Sequence, residues 1–202
     1  MNKTVLITGS TSGIGLGIAR QFAEAGYNIM FHGLETDGAE IANQIGEKHN
    51  VKVAFSNANL LQSEAIEGLV NETIKIFGEL HVLVNNAGVM SAKKLKDNTE
   101  ADFDMHFNVN VKGLFNTLQQ AESKLADHGN IINISSSTVK LMLPTYAIYS
   151  ATKAAVEQMT RVFSKEIGRG ISVNAVAPGP TETNLFLEGK SEEFIENLKG
   201  MN

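Results

Sequence analysis

Short apolar stretches alternate with longer amphipathic stretches along the whole chain. The apolar stretches are rich in Val, Ile or Phe, which is typical of the buried strands of a parallel sheet. The predicted strands are residues 4–8, 28–32, 52–56, 81–85, 130–135 and 172–177. The predicted helices are residues 14–25, 38–48, 62–77, 101–127 and 149–167. This alternation predicts one α/β domain with a doubly wound parallel sheet, whose strands end at a common edge where ligands bind.

A glycine-rich segment joins the first predicted strand to the first predicted helix. The segment reads Thr8-Gly9-Ser10-Thr11-Ser12-Gly13-Ile14-Gly15. Glycine permits a tight turn and a close approach of phosphate, and the following helix start offers unpaired N–H groups. The three hydroxyl residues add donors at the same place. The segment therefore predicts a dinucleotide site, although the spacing differs from the common G-x-G-x-x-G and a merely structural turn is the alternative.

Tyr149 and Lys153 lie four residues apart and therefore share one face of a predicted helix. An ammonium group beside a phenol lowers the pKa of the phenol, which makes it a usable acid/base near neutral pH. The pair alone decides little, because Tyr-x-x-x-Lys is common on solvated helix faces. Tyr146 is a second candidate phenol, but it has no lysine one turn later.

Two other predicted strands end in small polar residues. Ser135, Ser136 and Ser137 follow an apolar strand and present hydroxyl groups where a reacting carbonyl could be held. The segment Asn85-Asn86-Ala87-Gly88 follows the fourth strand and lets a backbone pass close to a ligand.

With these motifs in this order, the chain resembles the short-chain dehydrogenase/reductase family over its whole length. The resemblance implies a Rossmann-type sheet in the order 3-2-1-4-5-6 with helices on both faces. It implies hydride transfer between a nicotinamide cofactor and a carbonyl or secondary alcohol, with Tyr149 as acid/base and Ser136 steadying the substrate oxygen. Lys153 would also hold the nicotinamide ribose, and Asn110 would position a water of a proton relay.

The resemblance also implies a set of cofactor-binding residues. They are Gly9, Ser10, Thr11, Ser12, Gly13, Ile14, Gly15, Leu34, Asn59, Leu60, Asn86, Ala87, Gly88, Tyr149, Lys153, Pro178, Gly179, Thr181 and Thr183.

The adenosine end departs from the family pattern. Asn59 stands where relatives carry an aspartate that contacts adenine, so the acceptor there lacks charge. Leu34 and Ser12 stand where NADP-dependent relatives often carry a basic residue, and the acidic Glu35 is adjacent. We therefore expect NAD in preference to NADP, even though the usual NAD-specifying aspartate is also missing.

The carboxyl-terminal part is expected to be a partial substrate lid, residues 179–202 of the single domain 1–202. Family members usually continue into a further helix and a seventh strand, so the chain is expected to be a truncated form or to have an exposed sheet edge. The alternative function is therefore a catalytically idle dinucleotide-binding or scaffolding protein.

The substrate is less well defined than the cofactor. Residues 13–19 are similar to 3-hydroxybutyrate dehydrogenases, but the polar Gln and His expected for that carboxylate are missing. The predicted lid is mostly apolar, which indicates either that its residues pack into the core or that the substrate is apolar, such as a 3-oxoacyl chain.

Composition narrows the partners. The chain has 202 residues and no cysteine, which excludes disulfides and thiolate chemistry. Its net charge of −5 excludes a global basic field that would attract nucleic acid or an anionic membrane. We expect a cytoplasmic homo-oligomer, a dimer or tetramer. Five histidines lie far apart without metal-ligand spacing, so we expect no metal site and only surface or packing roles: His32, His49, His81, His106 and His128.

Overall fold

The computed structural model describes residues 2–183, which contain one six-stranded parallel sheet. Its strands are β1 (Thr4–Ile7), β2 (Asn28–His32), β3 (Val53–Ser56), β4 (Leu80–Asn85), β5 (Leu125–Ile134) and β6 (Ser172–Val176). The strand order is β3-β2-β1-β4-β5-β6, so the predicted doubly wound sheet and its order are confirmed. The helices are α1 (Gly13–Glu24), α2 (Gly38–His49), α3 (Ser63–Phe77), α4 (Glu100–Phe107), α5 (Gly113–Lys124), α6 (Thr138–Leu141) and α7 (Ala147–Glu166).

The sheet buries apolar side chains on both faces. Leu6 and its neighbours on one face pack against α3, α5 and α7, whereas Val5 and Ile7 on the other face pack against α1 and α2. Adjacent strand residues point to opposite faces, so a run such as Val5-Leu6-Ile7 serves both layers. This two-sided burial fixes the register of β1 against both of its neighbours. Thr4 lies opposite Asn28 of β2, and Val5 lies opposite Val82 of β4.

The predicted helix 101–127 is wrong in its extent. The structure divides it into α4, a π-helical turn (Asn108–Lys112) and α5, and the chain then enters β5 at Leu125. Leu125 pairs with Leu80 and is buried, so strand pairing there overrides helix periodicity. The pairing shifts register after Leu80, and His128 adopts a left-handed φ of 59°. This irregularity hides the early part of β5 from the sequence pattern.

Among residues 2–183, no helix is both long and apolar enough to cross a membrane. The same residues hold no group of three or more His, Asp or Glu side chains that could bind a metal ion. The part of the predicted lid that follows Thr183 lies outside the described residues.

Candidate active site

A cavity of about 450 Å³ opens at the carboxyl-terminal edge of the sheet. Segments that follow all six strands contribute to its wall. The predicted site residues that line it are Gly9, Ser12, Gly13, Ile14, Leu34, Asn59, Leu60, Asn86, Ala87, Gly88, Ser136, Tyr149, Lys153, Pro178, Gly179, Thr181 and Thr183. The predicted residues Ser10, Thr11, Gly15 and Asn110 lie outside this lining.

Two glycines of the turn lie where the surrounding backbone leaves no room for a side chain. Gly9 has a φ of +62°, and a Cβ atom there would lie 2.9 Å from the Ala87 Cα atom. A Cβ atom on Gly15 would lie 2.0 Å from the Gly9 carbonyl oxygen, so both positions require glycine. Helix α1 begins beside the cavity, has no acidic residue in its first turn, and receives no capping hydrogen bond from the Ser12 side chain. Free N–H groups and the positive helix end suit an anionic pyrophosphate, so the turn fits a dinucleotide.

Thr8 and Asn86 hold this turn against the end of β4. The Thr8 hydroxyl accepts hydrogen bonds from the N–H groups of Asn86 (3.0 Å) and Ala87 (3.1 Å). The Asn86 amide nitrogen donates to the carbonyls of Thr8 (3.0 Å) and Gly9 (2.8 Å). The side chain of Asn86 thus positions the glycine turn, and Asn86, Ala87 and Gly88 also line the cavity.

The sequence suggested that all three hydroxyl groups of the turn face the cavity, but two of them do not. The Ser10 hydroxyl accepts from the His32 N–H at 2.9 Å, and the Thr11 hydroxyl donates to the Glu35 carboxylate. Both side chains are therefore engaged with β2 and the loop after it. Ser12 is the hydroxyl residue of the turn that lines the cavity.

Ser136, Tyr149 and Lys153 come together at the ends of β5 and α7. Ser136 and Tyr149 line the same cavity, and the Ser136 hydroxyl lies close enough to the Tyr149 phenol to affect its pKa. The Lys153 Nζ atom donates to the Ile134 carbonyl at 2.8 Å and lies 5.7 Å from the centre of the Tyr149 ring. The α-helical spacing and the end of β5 thus bring the predicted serine, phenol and ammonium to one wall.

The pKa values of this group differ from the simplest expectation. Burial raises the pKa of the Tyr149 phenol, and the nearby Ser136 hydroxyl opposes that rise. Burial lowers the pKa of the Lys153 ammonium to about 8. The predicted lowering of the Tyr149 pKa by Lys153 is therefore wrong for the protein alone, because desolvation is the largest effect on the phenol.

Asn110 lies behind this wall in the π-helical turn. Its amide nitrogen donates to the Val89 carbonyl (2.9 Å) and to the Thr152 hydroxyl (3.0 Å), and its oxygen accepts from the Val89 N–H (2.8 Å). A Cβ atom on Gly88 would lie 3.1 Å from that oxygen and 3.6 Å from the Lys153 Nζ atom. The amide of Asn110 thus ties the loop after β4 to α7 beside Lys153.

The adenosine end of the predicted site is more exposed. Leu34 is 75% exposed at the rim of the cavity, and the Asn59 side-chain oxygen already accepts from the Leu61 N–H at 3.0 Å. Glu35 lines the cavity, and its hydrogen bond from Thr11 holds the pKa of the carboxyl below its usual range.

Several cavity residues were not identified as site residues from the sequence. His32 lines the cavity although we expected only a surface or packing role, and Tyr146 also lines it and is 2% exposed. Met90, Leu141 and Leu143 add apolar side chains to the lining. The position of His32 at the end of a strand next to β1 was the signal that could have identified it.

The fold and sequence match a known enzyme family. The short chain dehydrogenase family model matches residues 3–193. A short-chain type dehydrogenase/reductase from Picea abies is 37% identical, with 96% of this chain and 76% of the relative aligned. The 3-oxoacyl-(acyl-carrier-protein) reductase FabG of Staphylococcus aureus is 38% identical over 98% of this chain and 82% of the relative.

Solved structures agree with these relatives. A dehydrogenase from Burkholderia cenocepacia with bound NADP superposes with a TM-score of 0.92 at 32% identity, covering 98% of this chain and 77% of that one. A dehydrogenase/reductase from Sinorhizobium meliloti superposes with a TM-score of 0.91 at 32% identity, covering 98% and 79%. The chain therefore belongs to the short-chain dehydrogenase family and is an NAD(P)-dependent oxidoreductase.

Proposed function

We propose that this protein transfers a hydride between NAD(H) and an uncharged ketone or secondary alcohol, using Ser136, Tyr149 and Lys153. The observation that carries the proposal is that Ser136, Tyr149 and Lys153 line the same cavity as the glycine turn. A bound nicotinamide dinucleotide supplies or accepts the hydride.

The side chains provide the proton and orient the substrate oxygen. In the reducing direction the Tyr149 phenol donates a proton to the substrate oxygen, and the Ser136 hydroxyl donates a hydrogen bond to that oxygen. The Thr138 hydroxyl donates to the Ser136 oxygen at 3.0 Å, which orients the Ser136 hydroxyl. Lys153 and a water held near Asn110 would then return a proton to the phenol, since Gly88 leaves both groups close to the cavity.

The charge around the adenosine end supports a preference for NAD over NADP. Glu35 lines the cavity after β2 and is kept ionised by its hydrogen bond from Thr11. Lys153 is the one cation among the described lining residues. Its Nζ atom donates to the carbonyl of Ile134 at the end of β5, which lies three strands from β2 in the sheet. That separation is about 14 Å at the usual strand spacing, so Lys153 does not offset a 2′-phosphate beside Glu35.

The substrate end supports an uncharged, apolar substrate. Met90, Leu141 and Leu143 contribute apolar surface there, and Tyr146 contributes a phenol. Lys153 is the one cation among the described lining residues, and beyond its bond to the Ile134 carbonyl its donors would serve the nicotinamide ribose and the phenol. A substrate carboxylate would therefore find no further cation among those residues. Burying an unpaired carboxylate is costly, whereas an alkyl or aryl group gains from burial.

A turnover assay with NADH and NADPH tests the proposal. Cyclohexanone and acetophenone represent uncharged ketones, and acetoacetate represents a short carboxylate of similar reactivity. We expect turnover of the uncharged ketones with higher kcat/KM for NADH than for NADPH. A strong preference for NADPH would overturn the cofactor assignment, preference for acetoacetate would overturn the substrate class, and binding without any turnover would favour the idle alternative.

A further inference from the structure

The imidazole of His32 bridges two segments of the cavity. His32 ends β2 and is 3% exposed. Its Nδ1 atom accepts a hydrogen bond from the Gly9 N–H at 3.2 Å, and its Nε2 atom lies 2.8 Å from the Ala58 carbonyl oxygen. The ring therefore connects the glycine turn after β1 with the loop after β3, across the strand between them.

These two contacts require one protonation state. A carbonyl only accepts, so Nε2 carries the proton and Nδ1 is the acceptor for Gly9. A protonated ring would carry an N–H at both nitrogens and would point a second donor at the Gly9 N–H. Burial lowers the pKa of His32, and the charge of Glu35 opposes this effect, so the neutral ring is the form present near neutral pH.

The backbone of His32 reinforces the same connection. Its carbonyl accepts from the Ser10 N–H at 2.8 Å, and its N–H donates to the Ser10 hydroxyl at 2.9 Å. The left-handed conformation of Gly9 is thus held on the β2 side by backbone and side chain together. Thr8 and Asn86 hold the other side, from β4.

We infer that His32 is a positioning residue for the cofactor, and that its neutral ring holds the phosphate-binding turn at Gly9 in register with the adenosine-binding loop at Ala58. This inference rests on the proposed cofactor function and deepens it. The ring shapes the floor of the cavity through Gly9 and Ala58, so its effect is on the affinity for the cofactor rather than on the chemical step.

Three variants separate the two hydrogen bonds. His32→Leu removes both, His32→Asn keeps an acceptor near the Nδ1 position, and His32→Gln keeps a donor near the Nε2 position. The measurement is the Kd for NADH in the full chain without ketone, with melting temperature as a check on folding. We expect about a tenfold rise in Kd for His32→Leu and a rise of about threefold or less for His32→Asn. His32→Gln is expected to lie between them, and the Asn/Gln pair decides the matter if the Leu variant does not fold.

The pH dependence supplies a readout that a merely structural role would not change. Because burial lowers the pKa of His32, the wild-type ring protonates only in acid, below the usual range of imidazole, and there its Kd should rise relative to that of His32→Asn, which cannot titrate. Turnover at saturating cofactor should stay within about twofold of wild type in each of the three variants that folds. Equal Kd values for wild type and all folded variants, or a Kd ratio independent of pH, would overturn the inference. A wild-type protein that binds neither NADH nor NADPH would instead overturn the proposed function.

Discussion

The Nζ atom of Lys153 lies 5.7 Å from the centre of the Tyr149 ring, and its hydrogen bond goes to the Ile134 carbonyl. The end of β5 thus fixes the ammonium, while α7 fixes the phenol one turn away. Lys153 is 5% exposed, and its pKa is lowered to about 8 because burial disfavours the charged form. A lysine held in this way costs stability when protonated, which gives the site a measurable pH signature.

Replacing Lys153 with methionine should change how stability depends on pH. Between about pH 8 and 10 the unfolded lysine is still protonated while the folded one is largely neutral, so the unfolded state binds more protons. The free energy of unfolding of wild type should therefore rise with pH relative to Lys153→Met, by about 2 kcal/mol over this interval. Denaturant unfolding at several pH values measures the difference.

Lys165→Met is the matched control, because Lys165 lies on the same helix but is exposed. We expect its stability difference from wild type to be flat across the same pH interval. A flat difference for Lys153→Met as well would show that the buried ammonium keeps an ordinary pKa.

Removing the charge of Glu35 should improve the use of NADPH. The carboxylate accepts from Thr11 beside the adenosine end, so Glu35→Gln keeps an acceptor there while removing the repulsion of a 2′-phosphate. We expect kcat/KM for NADPH to rise by about tenfold and kcat/KM for NADH to change by less than about threefold. Steady-state kinetics with both cofactors measure this, and Glu40→Gln, at an exposed position in α2, serves as the control. An unchanged NADPH to NADH ratio would place the selectivity elsewhere.

A buried row of amides supports the strands that carry the site. The Asn85 amide nitrogen donates to the Asn133 oxygen at 2.9 Å, and the Thr117 hydroxyl donates to the Asn85 oxygen at 2.8 Å. Asn85→Ala leaves both partners without this bond in the interior, which should lower the free energy of unfolding by about 2 kcal/mol. Denaturant unfolding tests this against Asn71→Ala, on the exposed face of α3, where we expect less than about 0.5 kcal/mol. Equal effects at the two sites would mean that the buried row does not stabilise the sheet.

The sequence predicted the sheet well because its strands are apolar on both faces and occur in regular alternation with helices. It also predicted about half of the residues that line the cavity, since the strand ends of a doubly wound sheet meet at one edge. The prediction failed where contacts between distant segments of the chain determine the local structure. The irregular pairing after Leu80 concealed the start of β5, and the π-helical turn at Asn110 follows a helical periodicity in the sequence.

Individual side-chain directions were the least predictable feature. Ser10 and Thr11 look like donors to a phosphate in the sequence, but β2 and its loop supply partners that turn both hydroxyl groups inward. His32 looked like one of several unrelated histidines until its neighbours Gly9 and Ala58 were brought beside it by folding.

We assign the acid/base role to Tyr149 rather than to the neighbouring Tyr146. Both phenols line one cavity with ring centres 6.4 Å apart, but Tyr149 is the one that lies beside the Ser136 hydroxyl and is followed by Lys153 one turn later. The most direct test compares kcat and cofactor Kd for Tyr149→Phe and Tyr146→Phe with a ketone that the wild type reduces. We expect Tyr149→Phe to lower kcat by about 10²–10⁴-fold with an unchanged Kd, and Tyr146→Phe to keep kcat within about tenfold of wild type. Near-normal turnover by Tyr149→Phe would contradict the account.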